Sequence, residues 1–151
     1  MADVFISHSE IDSQLAAWLY QSCENFNISA FLAPISLRAG SEWKQEILNK
    51  LRQAKWFFFL ATANSIKSDA VKHEIGGALI LNKNIVPILY GIDFKDLPEW
   101  IKNYQGIRVS HNSAAELKSV LERISKKIKT DKVMTAAIIC TFIGMLLSAD
   151  G

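Results

Sequence analysis

The segment that most constrains the fold is residues 55–61, which contains the uninterrupted apolar run WFFFL. A run this short and this apolar is typical of a strand covered on both faces, because a strand with one wet face alternates apolar and polar residues. Strands covered on both faces occur in parallel sheets that carry helices above and below. The sequence therefore predicts an α/β fold.

The rest of the chain alternates between short apolar runs and segments with helical periodicity. Strands are predicted at 3–7, 28–32, 55–61, 85–90 and 106–109, and helices at 12–26, from Ser41 onward, at 68–82 and at 112–129, with short helical turns over 94–104. Pro87 is unexpected inside the fourth strand, because proline cannot donate to a strand ladder. Five strands in this alternation suggest a flavodoxin-like parallel sheet of order 2-1-3-4-5 with helices on both faces.

Each predicted helix has residues at helical spacing that mark a face turned toward the sheet. These residues are Leu15, Trp18, Leu19, Ser22 and Phe26 in the first helix, Ile47, Leu48 and Leu51 in the second, Val71, Ile75, Ala78 and Leu79 in the third, and Leu117, Val120, Leu121, Ile124 and Ile128 in the last.

A sheet of this order places its ligand crevice outside the carboxyl ends of the first and third strands, where the strand order reverses. Ser7 and His8 end the predicted first strand, and residues 61–64 end the third. We therefore expect a functional site at this edge of the sheet.

Composition sets limits on function. The chain has 151 residues, of which 50% are hydrophobic and 21% charged, so one compact domain is expected and global disorder is excluded. A net charge of +2 argues against a nucleic-acid binder. Two cysteines, Cys23 and Cys140, exclude a disulfide framework and a four-cysteine zinc site. The first residues read as a strand and not as a signal peptide, so a cytoplasmic location is expected.

Several catalytic motifs are absent from the sequence. It contains neither a phosphate-cradling glycine loop nor a G-x-S-x-G esterase elbow. The segment from His73 to Gly77 begins like a zinc-protease motif, but Gly77 stands where the second histidine is required. We expect no metal site and no bound cofactor.

An apolar tail follows the last predicted amphipathic helix. Residues 133–149 carry no charge, and Lys126, Lys127, Lys129 and Lys132 precede them. As a helix the tail would reach about 25 Å, slightly short of a hydrocarbon core of ~30 Å. Two interpretations stay open: a tail anchor that holds the domain at the cytoplasmic membrane face, or a helix that packs against the domain or another copy. We divide the chain into a domain at 1–130 and an apolar C-terminal helix at 131–151.

One carboxylate has an unusual position. Glu74 lies about two turns into the helix after the third strand, beside its apolar stripe, and its neighbours at i−4 and i+3 are the small residues Ala70 and Gly77. This arrangement predicts open volume in which a ligand could contact the carboxylate. The alternative is an ordinary solvated glutamate paired with a lysine.

Four segments in order resemble the conserved boxes of Toll/interleukin-1 receptor (TIR) domains, especially bacterial NAD-cleaving members. The resemblance runs from Asp3 to about Ser125. It is carried by residues 3–9, 38–47, 64–68 together with 72–75, and 85–89, the last with the proline that the strand pattern alone did not explain. It implies the flavodoxin-like fold already predicted.

The resemblance also implies an activity. Many TIR domains cleave NAD+ at the nicotinamide–ribose bond and release nicotinamide with ADP-ribose or a cyclic ADP-ribose isomer, and some bacterial members make such signals in antiphage defence. Others, such as many animal adaptors, only assemble. NAD+ would be a substrate and not a cofactor. The implied partners are other copies, through TIR–TIR contacts of the 33–40 loop. The apolar C-terminal helix, which lies outside the resemblance, is a second candidate for self-association. A toxin-like membrane effector is a third, weaker interpretation.

Carried over residue by residue, the family's catalytic glutamate falls on Glu74. Its carboxylate would stabilise the oxocarbenium-like ribose while nicotinamide leaves as a neutral ring, so no separate acid is needed. The remaining candidates for substrate binding are Ser7 and His8 near the nicotinamide or diphosphate, Arg38 on a phosphate, Trp43 in the pocket or only in packing, and Asp69 as a ligand or a helix cap. One departure stands out: catalytic members often carry tryptophan where this chain has Ala70.

Overall fold

The computed structural model describes residues 2–33, 41–104, 106–110 and 114–149, and of residues 41–44, 135, 141–144 and 146–149 it describes the backbone alone. In chain order the strands and helices are β1 (Val4–Ser7), α1 (Ser13–Asn25), β2 (Ala30–Leu32), α2 (Ser41–Gln53), β3 (Trp56–Ala61), α3 (Asp69–Ile80), β4 (Asn84–Tyr90), β5 (Ile107–Val109) and α4 (Ala115–Ala149). Short 3₁₀ turns lie at Glu10–Asp12, Ser65–Lys67 and Phe94–Asp96.

The five strands form one parallel sheet in the order β2-β1-β3-β4-β5, which confirms the predicted flavodoxin-like topology. β1 lies between β2 and β3, with Phe5 opposite Phe31 on one side and Phe57 on the other. From β1 the chain first adds β2 on one side of β1 and then adds β3, β4 and β5 in turn on the other side. The carboxyl ends of β1 and β3 therefore border the crevice that such an order creates.

Strand β3 separates two hydrophobic cores. Phe57 and Phe59 point into one core with Phe5, Leu51 and Ile75, and Phe58 points into the other. All three rings are fully buried because helices cover both faces of the sheet. The apolar run in this segment was therefore correctly interpreted as a strand with no wet face.

The helices pack by the residues that helical spacing indicated, with two exceptions. The buried face of α1 consists of Ala16, Leu19 and Cys23, and Ser22 beside them is half-buried, whereas Trp18 is 39% exposed and was wrongly placed on that face. Leu48 in α2 is 39% exposed and was wrong for the same reason. In α3 and α4 the predicted stripes are confirmed, with Leu79 and Val120 partly buried at their margins.

Pro87 lies in β4 opposite Phe59 of β3. On the other side of β4, the pairing with β5 begins only at Ile88, which is opposite Ile107. Because the β5 ladder starts beyond the proline, β4 accommodates a residue that donates no hydrogen bond.

Helix α4 crosses the boundary that we drew at residue 130. It runs without a break from Ala115 to Ala149, so the predicted amphipathic helix and the apolar tail are one continuous helix. The division of the chain at that point stays a prediction. Across the described residues, no helix combines the length and the hydropathy that a membrane crossing requires.

Candidate functional site

The start of α3 positions Glu74 at the carboxyl edge of the sheet. The Ser68 hydroxyl accepts a hydrogen bond of 3.3 Å from the Val71 backbone N–H and so caps the N-terminus of α3. Val71, Ile75 and Ala78 then anchor α3 on the sheet. Glu74 lies beside this buried stripe, so its side chain is partly buried and its Oε2 atom is enclosed.

The Glu74 carboxyl group is held in its neutral form near physiological pH. Burial raises its pKa from 4.5 to about 8, and the nearby Ser7 hydroxyl lowers it by a smaller amount. Yet neither Ser7 Oγ nor Glu74 Oε2 has a hydrogen-bond partner within the described residues. The two groups are therefore close but not aligned with each other, and each keeps unused hydrogen-bonding capacity. Unsatisfied buried polar atoms are rare in folded proteins and mark positions where a ligand can supply the partner.

His8 follows Ser7 at the end of β1 and is also buried. Burial lowers the pKa of its imidazole, while the Ile6 backbone and the negative charge of Asp12 partly oppose this effect. Its Nδ1 atom has no partner among the described residues. Ser7 lies close to Glu74, and the buried imidazole of His8 lies one residue further along the same edge.

A hydrogen-bonded network that the sequence did not reveal joins the same strand ends. The Asp12 carboxylate accepts hydrogen bonds from the hydroxyls of Ser9, just after β1, and Thr62, just after β3. Ser65 continues the network, because its hydroxyl accepts a 2.8 Å bond from the Thr62 backbone N–H. The network ties the loop after β1 to the segment that leads into α3, and so supports the relative position of Ser7 and Glu74.

The open volume expected around Glu74 is present on only part of its surroundings. Gly77 does not provide it, because Leu51 of α2 packs there so closely that a Cβ on Gly77 would lie 2.9 Å from Leu51 Cδ2. This part of the expectation was wrong: Gly77 serves the contact between α2 and α3. Gly76 borders open space, since a Cβ there would meet nothing within 4 Å, but at about 100° per residue this space lies on the opposite side of α3 from Glu74. Ala70 is exposed, so no large side chain covers Glu74 from that position.

The other predicted residues are placed as follows. Asp69 is exposed at the first position of α3, where Ser68 makes the side-chain cap. Arg38 lies outside the described residues, and so does the side chain of Trp43. In the part of the chain that the structure describes, no cluster of three or more His, Cys, Asp or Glu side chains could hold a metal ion. The described side chains at this edge with unsatisfied polar atoms are the carboxyl of Glu74, the hydroxyl of Ser7 and the imidazole of His8.

Comparison with known proteins agrees with this fold. A family model described as "TIR domain" matches residues 4–125. No curated protein sequence matches the chain. The TIR domain of the Toll-related receptor TRR-2 from Hydra magnipapillata superposes with a TM-score of 0.61 at 16% identity, over 72% of this chain and 84% of that one.

Two further solved structures share the fold at similarly low identity. The TIR-STING receptor from C. gigas has a TM-score of 0.67 at 18% identity over 83% of this chain, which spans only 39% of that receptor. The CMP N-glycosidase BcmB from Clostridium botulinum has a TM-score of 0.56 at 14% identity, over 79% of this chain and 97% of that one. The sheet order, the site at its carboxyl edge and the family match over most of the chain lead to one assignment: the chain belongs to the TIR domain family.

Proposed function

We propose that this TIR domain cleaves NAD+ at the bond between nicotinamide and ribose, with Glu74 as the essential carboxylate. The observation that carries the proposal is the enclosed, unpartnered Oε2 atom of Glu74 beside the equally unpartnered Ser7 hydroxyl, at the edge of the sheet where ligands of this fold bind. The hydroxyl groups of a ribose could supply the hydrogen-bond partners that these two atoms lack.

The chemistry requires few protein groups. When the C1′–N bond breaks, its electron pair stays with the pyridinium nitrogen, and nicotinamide leaves as a neutral molecule. The ribose becomes oxocarbenium-like, and an adjacent carboxylate stabilises the developing positive charge. Water then adds to C1′ and loses a proton to give ADP-ribose, or a nucleophile within the same molecule adds to give a cyclic product.

The raised pKa of Glu74 is compatible with this role. The ligand-free site holds the carboxyl neutral because burial penalises its charge. NAD+ brings a pyridinium cation close to the carboxyl, and an opposite charge at short range favours the ionised form. Substrate binding would therefore lower the pKa of Glu74 and create the carboxylate that the reaction uses.

Ser7 and His8 would position the substrate in this proposal. The Ser7 hydroxyl can donate to a ribose oxygen, and the unpartnered Nδ1 of His8 is free to exchange a hydrogen bond with the nicotinamide amide or the diphosphate. Roles for Arg38, Trp43 and Asp69 stay predictions. A cytoplasmic location is part of the proposal, as is signalling through ADP-ribose products in antiphage defence.

A second candidate function is cleavage of a nucleotide whose base is neutral. Two observations favour it: Glu74 is protonated near neutral pH and could donate its proton to the departing base, and Ala70 leaves the position above it without an aromatic ring. BcmB, which shares the fold, is named for CMP N-glycosidase activity. The exposed Ala70 is equally consistent with a non-catalytic module that only pairs with other TIR domains.

A direct assay separates these candidates. The purified full chain would be incubated at high concentration with NAD+ and, separately, with CMP, alongside Glu74→Gln and a matched control, Glu122→Gln, in an exposed residue of α4. Release of nicotinamide by the wild type and the control, but not by folded Glu74→Gln, supports the proposal. Release of cytosine alone favours the second candidate, and no release from either substrate favours the interaction module.

The pH dependence of kcat/KM provides an independent test because it reports groups in the free enzyme. If Glu74 acts as a carboxylate on NAD+, the rate should rise with pH and level off above a pKa of about 8. If Glu74 acts as an acid on a neutral base, the rate should fall above the same pH. A profile that does not change across this range in either assay would contradict any direct role of Glu74.

A further inference from the structure

The C-terminal part of α4 continues beyond the last residue that it buries in the domain, and Ala136 and Ile139 still border a groove lined by Asp3 and Trp56. Ile128 is the last buried residue among the described side chains of α4, yet the helix continues to Ala149. We call residues 133–149 the tail helix. At a rise of ~1.5 Å per residue it is about 25 Å long.

The described apolar side chains of the tail helix are exposed on more than one face. Val133 is 67% exposed, Met134 58%, Ile138 65%, Ile139 52% and Met145 66%. At about 100° per residue these positions span roughly 240° of the helix circumference. One neighbour packed along a single face would leave part of this surface in water, and a helix that is apolar around most of its circumference is stable only when it is surrounded.

We propose that the tail helices of several copies of this chain pack together as a bundle of three or more. No charged residue occurs between 133 and 149, so the bundle buries no charge. Treated as a cylinder ~10 Å across, the tail helix presents about 800 Å² of lateral surface, which matches the area per partner in a stable protein interface. Its length falls short of the ~30 Å hydrocarbon core, which favours protein neighbours over a bilayer.

The bundle should be parallel. Copies related by a rotation axis along the bundle all point the same way, and cyclic symmetry is the usual way in which a small number of identical chains forms a closed assembly. Because α4 is one continuous helix, a parallel bundle also holds the TIR domains side by side at one end. Their local concentration would then rise whether or not Glu74 acts on NAD+.

The chain carries a reporter for this arrangement. Cys140 in the tail helix is exposed, whereas Cys23 is buried and its pKa is raised to about 12, so its reactive thiolate is scarce. Oxidation therefore acts selectively on Cys140 without any mutation. A disulfide forms only when the two Cα atoms approach within about 7 Å, so rapid cross-linking of Cys140 reports helix-to-helix contact.

The experiment measures the mass of the full chain in solution by light scattering. The wild type should have at least three times the monomer mass of 16.9 kDa. Ile138→Glu and Ile139→Glu should reduce it to monomer and abolish cross-linking, while Thr130→Glu, which adds the same charge at an exposed position before the tail helix, should leave the assembly intact. Circular dichroism would check that each variant is folded.

Orientation is tested by moving the reporter. In a Cys140→Ser background, Val133→Cys should cross-link as rapidly as the wild type, because a parallel bundle brings the same end of each tail helix together. Failure of Val133→Cys to cross-link would overturn the parallel arrangement. A monomeric wild type that instead floats with phosphatidylcholine vesicles, or an assembly that survives both glutamate substitutions, would overturn the bundle itself.

Discussion

Replacing Glu74 by glutamine should remove a pH-dependent cost of folding. In the unfolded chain a glutamate loses its proton near pH 4.5, but in the folded protein burial keeps that proton bound until about pH 8. Between these values the folded state binds more protons than the unfolded state, so the free energy of unfolding falls as pH rises. Glutamine is similar in size and has no proton to lose, so the variant escapes this cost.

The expected size follows from the two pKa values. The wild type should lose about 1.4 kcal/mol of stability per pH unit relative to Glu74→Gln, and about 3–5 kcal/mol in total between the pKa of about 8 in the folded state and 4.5 in the unfolded chain. Below this interval the difference should be constant, because both states hold the proton, and above it constant again, because both have lost it.

Urea unfolding of both proteins at a series of pH values from about 4 to 9 measures this difference directly. The wild type and the variant share every other titrating group, including His8, so contributions from those groups cancel. Glu122→Gln, at an exposed site, serves as the control and should track the wild type at every pH. A difference between Glu74→Gln and wild type that stays flat over this range would show that Glu74 ionises freely in the folded protein, and the account of an enclosed carboxyl would be wrong.

Three further predictions follow from the packing and hydrogen bonds around the site. Gly77→Ala should lower the free energy of unfolding by about 1–3 kcal/mol, because its Cβ would clash with buried Leu51. Gly76→Ala, at a position that faces open space, should raise the free energy of unfolding by about 0.5–1 kcal/mol. Equal effects of the two substitutions in urea unfolding would contradict the α2–α3 contact. Asp12→Asn should cost about 1.5–3 kcal/mol and lower the pKa of His8 in an NMR titration, and an unchanged His8 titration would contradict their coupling. Ser68→Ala should cost about 0.5–2 kcal/mol in thermal unfolding through loss of the α3 cap, and no change would mean that the cap is dispensable.

The sheet could be predicted from the sequence because its signal is local. The apolar run of β3 requires cover on both faces, and alternation of strands with helices then leaves few parallel topologies. Where the prediction failed, the cause was the phase of a helix. Trp18 fits the periodicity of α1, but the buried face uses small Ala16 and Cys23 instead, which let the helix approach the sheet while the larger indole stays at the margin.

The site was predictable only in part, for a related reason. The place of Glu74 beside the α3 stripe and near the end of β1 follows from helical spacing and strand order. The contacts that shape its surroundings join residues distant in sequence: Leu51 fills the space beside Gly77, and Thr62 bonds to Asp12, 50 residues earlier. No pattern within one segment carries that information, because each partner looks ordinary in its own neighbourhood.

The three consecutive phenylalanines of β3 make this strand part of both hydrophobic cores. Phe57 and Phe59 belong to the core under α2 and α3, and Phe58 belongs to the core under α1 and α4. If either pair of helices detached, β3 would expose aromatic rings to water, so neither layer can melt by itself. A shift of one residue in the register of β3 would move every one of its side chains to the opposite face of the sheet. Insertions and deletions are therefore confined to the loops outside the strand.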